Sequence, residues 1–75
     1  MKNYLKQLIG NITDTDNLEL GNEEAFREIV EWDYNTKEPL FYQTIQALCM
    51  KQVDIDELRC AETINQIEEL INEYK

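Results

Sequence analysis

Thr63-Ile64-Asn65-Gln66 is a capping box, in which the side chains of Thr63 and Gln66 can each satisfy a backbone amide at the start of a helix. The apolar residues that follow recur at three- and four-residue steps, which is the spacing of one face of an amphipathic helix. They are Ile64, Ile67, Leu70, Ile71 and Tyr74. This stretch predicts that a new helix begins at residue 64. A single continuous helix over 54–75 is the alternative interpretation.

Two shorter patterns precede this helix. Residues 55–60 are predicted to form a separate turn that holds Ile55 and Leu58. A further helix is predicted over 37–51, with Thr36 as its cap and Pro39 in its first turn, where a missing amide hydrogen costs nothing. The apolar residues expected to face inward are Leu40, Phe41, Ile45 and Leu48.

The N-terminal half predicts two more helices, joined by a loop. The first covers about 2–12, and a second is expected to begin after a cap at Asn22 and to end near 33–35. Between them, residues 13–21 lack helical periodicity and read as a loop that Leu18 and Leu20 pin to the core. The inward residues of the two helices are Leu5, Leu8, Ile9 and Ile12, then Phe26, Ile29 and Val30. The predicted fold is all-α, a small four-helix bundle of three main helices and one short helix, in a single domain over 1–75.

The acidic composition of the chain favours some classes of binding partner over others. The 75 residues carry 16 acids and 7 bases, a formal net charge of −9. Such a chain is repelled by nucleic-acid phosphates and by anionic membranes, whereas a basic protein surface attracts it. No charged-then-apolar leader and no apolar run near the length of a membrane span is evident, so a cytoplasmic location is expected. Oligomeric state is not predicted.

Catalytic and metal chemistry find little support in the sequence. The chain has no serine and no histidine, and its two cysteines, Cys49 and Cys60, are expected to be small core or boundary hydrophobes. Two cysteines eleven positions apart fall short of the usual zinc ligands. The segment from Asp14 begins like a calcium loop, but Glu19 and Ala25 stand where that loop needs glycine and a bidentate glutamate. We therefore predict no catalytic residue, cofactor or metal, and a protein that is not an enzyme.

Three groups of residues in the C-terminal half carry a family resemblance: Val53-Asp54-Ile55-Asp56-Glu57-Leu58, then Ala61-Glu62-Thr63-Ile64, then Ile67 and Leu70-Ile71. They resemble, without a gap, the third helix, loop and fourth helix of acyl and peptidyl carrier proteins. Counting back along the helix over 37–51 places the Asp-Ser-Leu attachment motif of that family over Tyr34-Asn35-Thr36. Phe26 is similar to the aromatic residue that precedes the motif in the family.

This chain differs from the family at the position that carries the family's chemistry. In carrier proteins the serine hydroxyl holds phosphopantetheine, and here Asn35 stands at that position without a hydroxyl. Thr36 has a hydroxyl one residue on, but its branched carbon is hindered and the cap explains it better. The family also tends to dock partners through acids after the serine, and residues 40–52 contain none. An active carrier with an unconventional attachment site is a remaining alternative.

The predicted function is non-catalytic protein binding by a degenerate, unprimed carrier-like module. Trp32, Tyr34 and Asn35 are the predicted partner-binding residues, because the two rings lie off the apolar face of the second helix and such rings make good contact anchors. The alternative for Trp32 is that it closes the edge of an undersized core. The alternative function is a small acidic inhibitor or antitoxin that covers a basic surface of another protein.

Overall fold

The computed structural model describes residues 1–15 and 19–74, and these residues contain five α-helices. They are α1 (Lys2–Ile12), α2 (Phe26–Ile29), α3 (Lys37–Cys49), α4 (Ile55–Cys60) and α5 (Ile64–Tyr74). The described residues contain no strand, and an antiparallel bridge joins Ala25 to Thr63. The prediction of an all-α fold is confirmed, but the predicted number of four helices is wrong for the described residues, which form three longer helices and two short ones. No described helix is both long enough and apolar enough to span a bilayer.

The C-terminal pattern folds as predicted. Helix α5 begins at Ile64, and residues 61–63 separate it from α4, so the alternative of one continuous helix is wrong. The capping box forms in both directions: the Gln66 amide donates to Thr63 Oγ1 at 3.2 Å, and the Thr63 amide donates to Gln66 Oε1 at 3.1 Å. At the start of α4, Asp54 Oδ1 accepts a hydrogen bond from the Asp56 amide at 2.9 Å.

The second predicted helix is much shorter than expected. Residues 22–25 are not helical, and α2 has four residues instead of the predicted span from 22 to about 34. The reason is a backbone pairing with the start of α5: the Asn65 amide donates to the Asn22 carbonyl at 3.0 Å, and the Phe26 amide donates to the Glu62 carbonyl at 3.3 Å. Asn22 therefore does not cap α2, and Val30, in an extended conformation, ends that helix.

The other predicted boundaries differ only in detail. Helix α1 covers the predicted residues, and α3 ends at Cys49, because Met50 takes a left-handed conformation (φ 55°) that stops the helix. Thr36 occupies the N-cap position of α3, but its side chain does not cap the helix amides. The amide of Lys37 instead donates to the Asp33 carbonyl, at 2.7 Å.

The core lies where α1, α3 and α5 pack against one another. Leu20 is buried as predicted, whereas Leu18 lies outside the described residues. Leu40 and Ile29 were expected to face inward and are instead 48% and 44% exposed. The largest fully buried side chains are Phe26, Phe41, Leu5, Ile9, Ile45, Leu58, Ile64, Ile67 and Ile71.

The two cysteines differ in exposure. Cys49 lies in the core at the end of α3, as expected for a small hydrophobe. Cys60 is exposed at the end of α4, so the prediction of a core or boundary position is wrong for this residue. The helical period of α4 explains the difference, because Leu58 takes the inward position of that single turn and a residue two places on points elsewhere.

We predict that Thr63→Ala lowers the free energy of unfolding by about 1 kcal/mol, because an amide at the start of α5 loses its acceptor. Urea denaturation followed by far-UV circular dichroism measures the change. Thr44→Ala is the matched control: Thr44 Oγ1 donates to the Leu40 carbonyl within α3 at 2.9 Å, a contact that gives a helix little stability. Equal losses in the two variants would contradict a role for the capping box.

Candidate functional site

A buried ion pair joins α2 to α3. Arg27 Nε donates to Glu38 Oε2 at 3.0 Å, and Arg27 Nη2 donates to Glu38 Oε1 at 2.8 Å. The two side chains are only 9% and 4% exposed. The geometry is bidentate, with two parallel hydrogen bonds between a planar guanidinium and a carboxylate. This contact fixes both the distance and the rotation of α2 relative to the first turn of α3.

Other donors complete the surroundings of the Glu38 carboxylate. Trp32 Nε1 donates to Oε2 at 2.6 Å, and the Tyr42 hydroxyl also hydrogen-bonds to the carboxylate. Burial raises the pKa of Glu38, but the hydrogen bonds from Arg27 and Tyr42 and the charge of Arg27 outweigh it, so the pKa is lowered overall. Glu38 is therefore ionised at neutral pH although it lies in the core.

The same guanidinium holds the link between α4 and α5. Arg27 Nη1 donates to the Ala61 carbonyl at 2.7 Å, and Nη2 approaches the Leu58 carbonyl at 3.4 Å. These carbonyls lie at the end of α4, where a positive charge is favourable. Arg27 thus connects three parts of the chain that are far apart in sequence.

Aromatic rings surround the ion pair. Phe26, Trp32 and Phe41 pack with centroid separations of 5.6 to 5.7 Å, and Trp32 meets both phenylalanines edge-on. The Arg27 guanidinium carbon lies 4.7 Å from the centroid of the Phe26 ring and 5.6 Å from that of Trp32. Such contacts are favourable for a cation that has been removed from water. The rings exclude solvent from the ion pair and so strengthen it.

The polar network continues from Glu38 to α4. The Tyr42 hydroxyl accepts a hydrogen bond from Arg59 Nε at 3.2 Å. Burial raises the pKa of Tyr42, and the neighbouring Glu38 carboxylate raises it further. The hydroxyl therefore keeps its proton at neutral pH and can donate it to Glu38 while accepting from Arg59.

The three predicted partner-binding residues lie close together in sequence but in different surroundings. The Trp32 ring packs against the core and bonds to Glu38, whereas Tyr34 is 62% exposed and Asn35 is also exposed. Asp33 organises this turn: its Oδ1 accepts from the Asn35 amide at 2.8 Å, and that bond lowers the pKa of Asp33. Of the two rings, Tyr34 is the exposed one, and Trp32 is partly buried against the core.

A pocket of about 200 Å³ opens beside Tyr34, between α2 and the link from α4 to α5. Its lining residues are Ala25, Arg27, Glu28, Tyr34, Arg59 and Glu62. Within residues 1–15 and 19–74, no three side chains of the metal-binding types come together as ligands. The chemistry available in this region is ion pairing, hydrogen bonding and stacking on an aromatic ring.

Our sequence reasoning missed Arg27 and Glu38, although Glu38 could have been found. It lies three and seven residues before Phe41 and Ile45, on the buried stripe of α3. An acid on an apolar stripe needs a buried partner, because an unpaired buried charge is costly. Nothing in the pattern of α2 identifies Arg27 as that partner, since a four-residue helix has no periodicity to read.

Comparison with known proteins adds no relative. No protein-family model matches this chain, and no curated protein or solved structure resembles it significantly.

We predict that Glu38→Gln lowers the free energy of unfolding by about 3–5 kcal/mol, because it leaves the Arg27 charge buried without a counter-ion. Urea denaturation followed by the fluorescence of Trp32 measures the loss. Asp56→Asn is the control, since its 3.9 Å contact with Arg59 is exposed to solvent and removing it should leave the stability almost unchanged. Replacing both Arg27 and Glu38 by methionine should recover part of the loss, because no unpaired charge is left. Similar losses for Glu38→Gln and Asp56→Asn would contradict this account.

Proposed function

We propose that this protein is a non-catalytic protein-interaction module that resembles a degenerate, unprimed acyl carrier protein. The order of its helices supports the proposal. The resemblance implies a short helix, a loop and a final helix in the C-terminal half, and α4, residues 61–63 and α5 follow that order. It also implies a long helix directly after the attachment motif, and α3 begins at Lys37.

The position of Asn35 carries the proposal. Asn35 is exposed, and it immediately precedes Thr36, the N-cap residue of α3. This is where the resemblance places the serine that would hold a phosphopantetheine arm. The carboxamide of asparagine has no hydroxyl to accept the arm, and the chain has no serine elsewhere. The module that we propose therefore keeps the recognition end of a carrier without the group that a carrier transports.

Tyr34 supplies the contact area at this end. Its side chain is more exposed than any other aromatic side chain in the described part of the chain. The turn that contains Tyr34 is held by the hydrogen bond from the Asn35 amide to Asp33. A tyrosine buries a large area at small cost in side-chain entropy when a partner covers it. Trp32 acts behind it by fixing the start of α3 through Glu38. We further propose a cytoplasmic setting and a protein partner rather than a nucleic acid, in keeping with the charge of −9.

We predict that restoring the serine restores modification. Asn35→Ser, or the fuller motif in Tyr34→Asp with Asn35→Ser and Thr36→Leu, should gain one phosphopantetheine group when incubated with a broad-specificity transferase and coenzyme A. Intact-mass spectrometry reads the result, and the unaltered protein should show no gain. Asn3→Ser, on the exposed surface of α1, is the matched control. Modification of the unaltered protein, or none of the full-motif variant, would contradict the carrier proposal.

We predict that removing the exposed contact pair reduces partner capture. Tyr34→Ala with Asn35→Ala should recover less of any partner in cross-linking pull-downs from the native cell, with an unchanged far-UV spectrum. Asn3→Ala with Tyr4→Ala is a matched control, since it removes the same two residue types from an exposed part of α1. Equal recovery by the two double variants would contradict this contact site. Capture that is lost at high salt but insensitive to the Tyr34 and Asn35 changes would favour the acidic-inhibitor alternative.

A further inference from the structure

The pocket beside Tyr34 has an unusual charge distribution. The only two arginines of the chain, Arg27 and Arg59, both line it, and so do two acidic residues, Glu28 and Glu62, each with one carboxylate. The basic residues are already engaged. Arg27 is paired with Glu38 through two hydrogen bonds, and Arg59 donates to Tyr42 and lies 3.9 Å from Asp56.

The two carboxylates are in the opposite situation. Over residues 1–15 and 19–74, neither Glu28 nor Glu62 has a cation within ion-pair distance. Because Glu38 neutralises Arg27, the lining retains one positive charge, on Arg59, against two negative charges. The pocket therefore favours a cation over an anion, although it contains two arginines.

The dimensions restrict what can enter. Small-molecule sites typically enclose about 300–1,000 Å³, whereas this pocket encloses about 200 Å³. That volume suits one long side chain better than a cofactor. Tyr34 forms one wall, and the face of a tyrosine ring attracts a guanidinium or ammonium group. A guanidinium also offers planar pairs of donors that match carboxylates, which an ammonium does not.

We propose that the pocket lined by Glu28, Tyr34 and Glu62 binds an arginine side chain of a partner protein. This inference rests on the proposed function, since it gives the partner a chemistry and an anchor next to the Tyr34 and Asn35 contact. The two carboxylates accept hydrogen bonds from the incoming guanidinium, and Tyr34 packs against its plane. The charge of −9 on the whole chain speeds the encounter with a basic surface.

The test uses Nα-acetyl-arginine N-methylamide as the probe, titrated through the millimolar range into the isotope-labelled full chain and followed by two-dimensional amide NMR. The corresponding citrulline compound is the matched ligand control, because it has nearly the same shape and no charge. We expect saturable shifts at residues 25–28, 34 and 59–62 with the arginine compound, and binding of the citrulline compound weaker by at least about threefold.

A matched pair of variants separates the pocket from the general field of the protein. Glu28→Gln with Glu62→Gln should weaken arginine binding by about three- to tenfold. Glu69→Gln with Glu73→Gln removes the same charge from exposed positions of α5 and should leave the affinity within about twofold. The amide spectra also report whether each variant keeps its fold.

Several results would overturn the inference. They are the absence of saturable shifts, equal binding of the citrulline compound, shifts centred outside the pocket, and equal weakening by the two pairs of variants. Stronger binding of Nα-acetyl-glutamate N-methylamide would show instead that the arginines make this an anion site. None of these results bears on modification of Asn35→Ser or on capture through Tyr34 and Asn35, so failure of the pocket and failure of the proposed function are distinguishable.

Discussion

The bidentate contact between Arg27 and Glu38 is the interaction on which the arrangement of the helices around the site depends. A buried ion pair adds little net stability compared with apolar residues of the same size, because both charges must leave water. Its directional bonds, however, select one relative placement of the two groups. Arg27 also donates a hydrogen bond to the carbonyl of Ala61, and Glu38 also accepts one from the indole of Trp32, so these two groups are held in place as well. The polar network therefore defines how α2, α3 and the link before α5 meet.

This network also explains the character of the predicted contact turn. Trp32 is drawn inward by Glu38 and by two phenylalanine rings, so the backbone after it must turn at the surface. Tyr34 and Asn35 occupy that turn and are exposed for the same reason. The proposed partner contact thus lies in front of a cluster of hydrogen-bonded side chains, and no buried side-chain polar atom of the described residues lacks a hydrogen-bond partner. The adjacent pocket shares Arg27 with the cluster and so has one fixed wall.

The helices with clear periodicity could be predicted from the sequence, and those set by distant contacts could not. Helices α1 and α5 follow from their apolar spacing, and the capping box locates the start of α5 at Ile64. Helix α2 could not be located, because the backbone before it pairs with residues about forty positions away in the sequence. For the site, the local pattern predicted that the rings of Trp32 and Tyr34 lie off the apolar face of the second helix, but it did not distinguish the exposed Tyr34 from the partly buried Trp32. It also did not predict the role of Arg27, whose partner lies on another helix.

The pairing of residues 22–26 with the start of α5 has a consequence for how order spreads through this chain. A four-residue helix is not stable alone in water, because fixing the backbone of its first turn costs more free energy than the hydrogen bond of that turn contributes. The amide of Phe26 donates to the carbonyl of Glu62, and that of Asn65 to the carbonyl of Asn22, so residues 22–26 must meet residues 62–65 before α2 is defined. The pairing makes α2 and α5 cooperative. The surface turn at residues 33–35 follows α2 and therefore depends on α5, and unfolding of the first turn of α5 would loosen it.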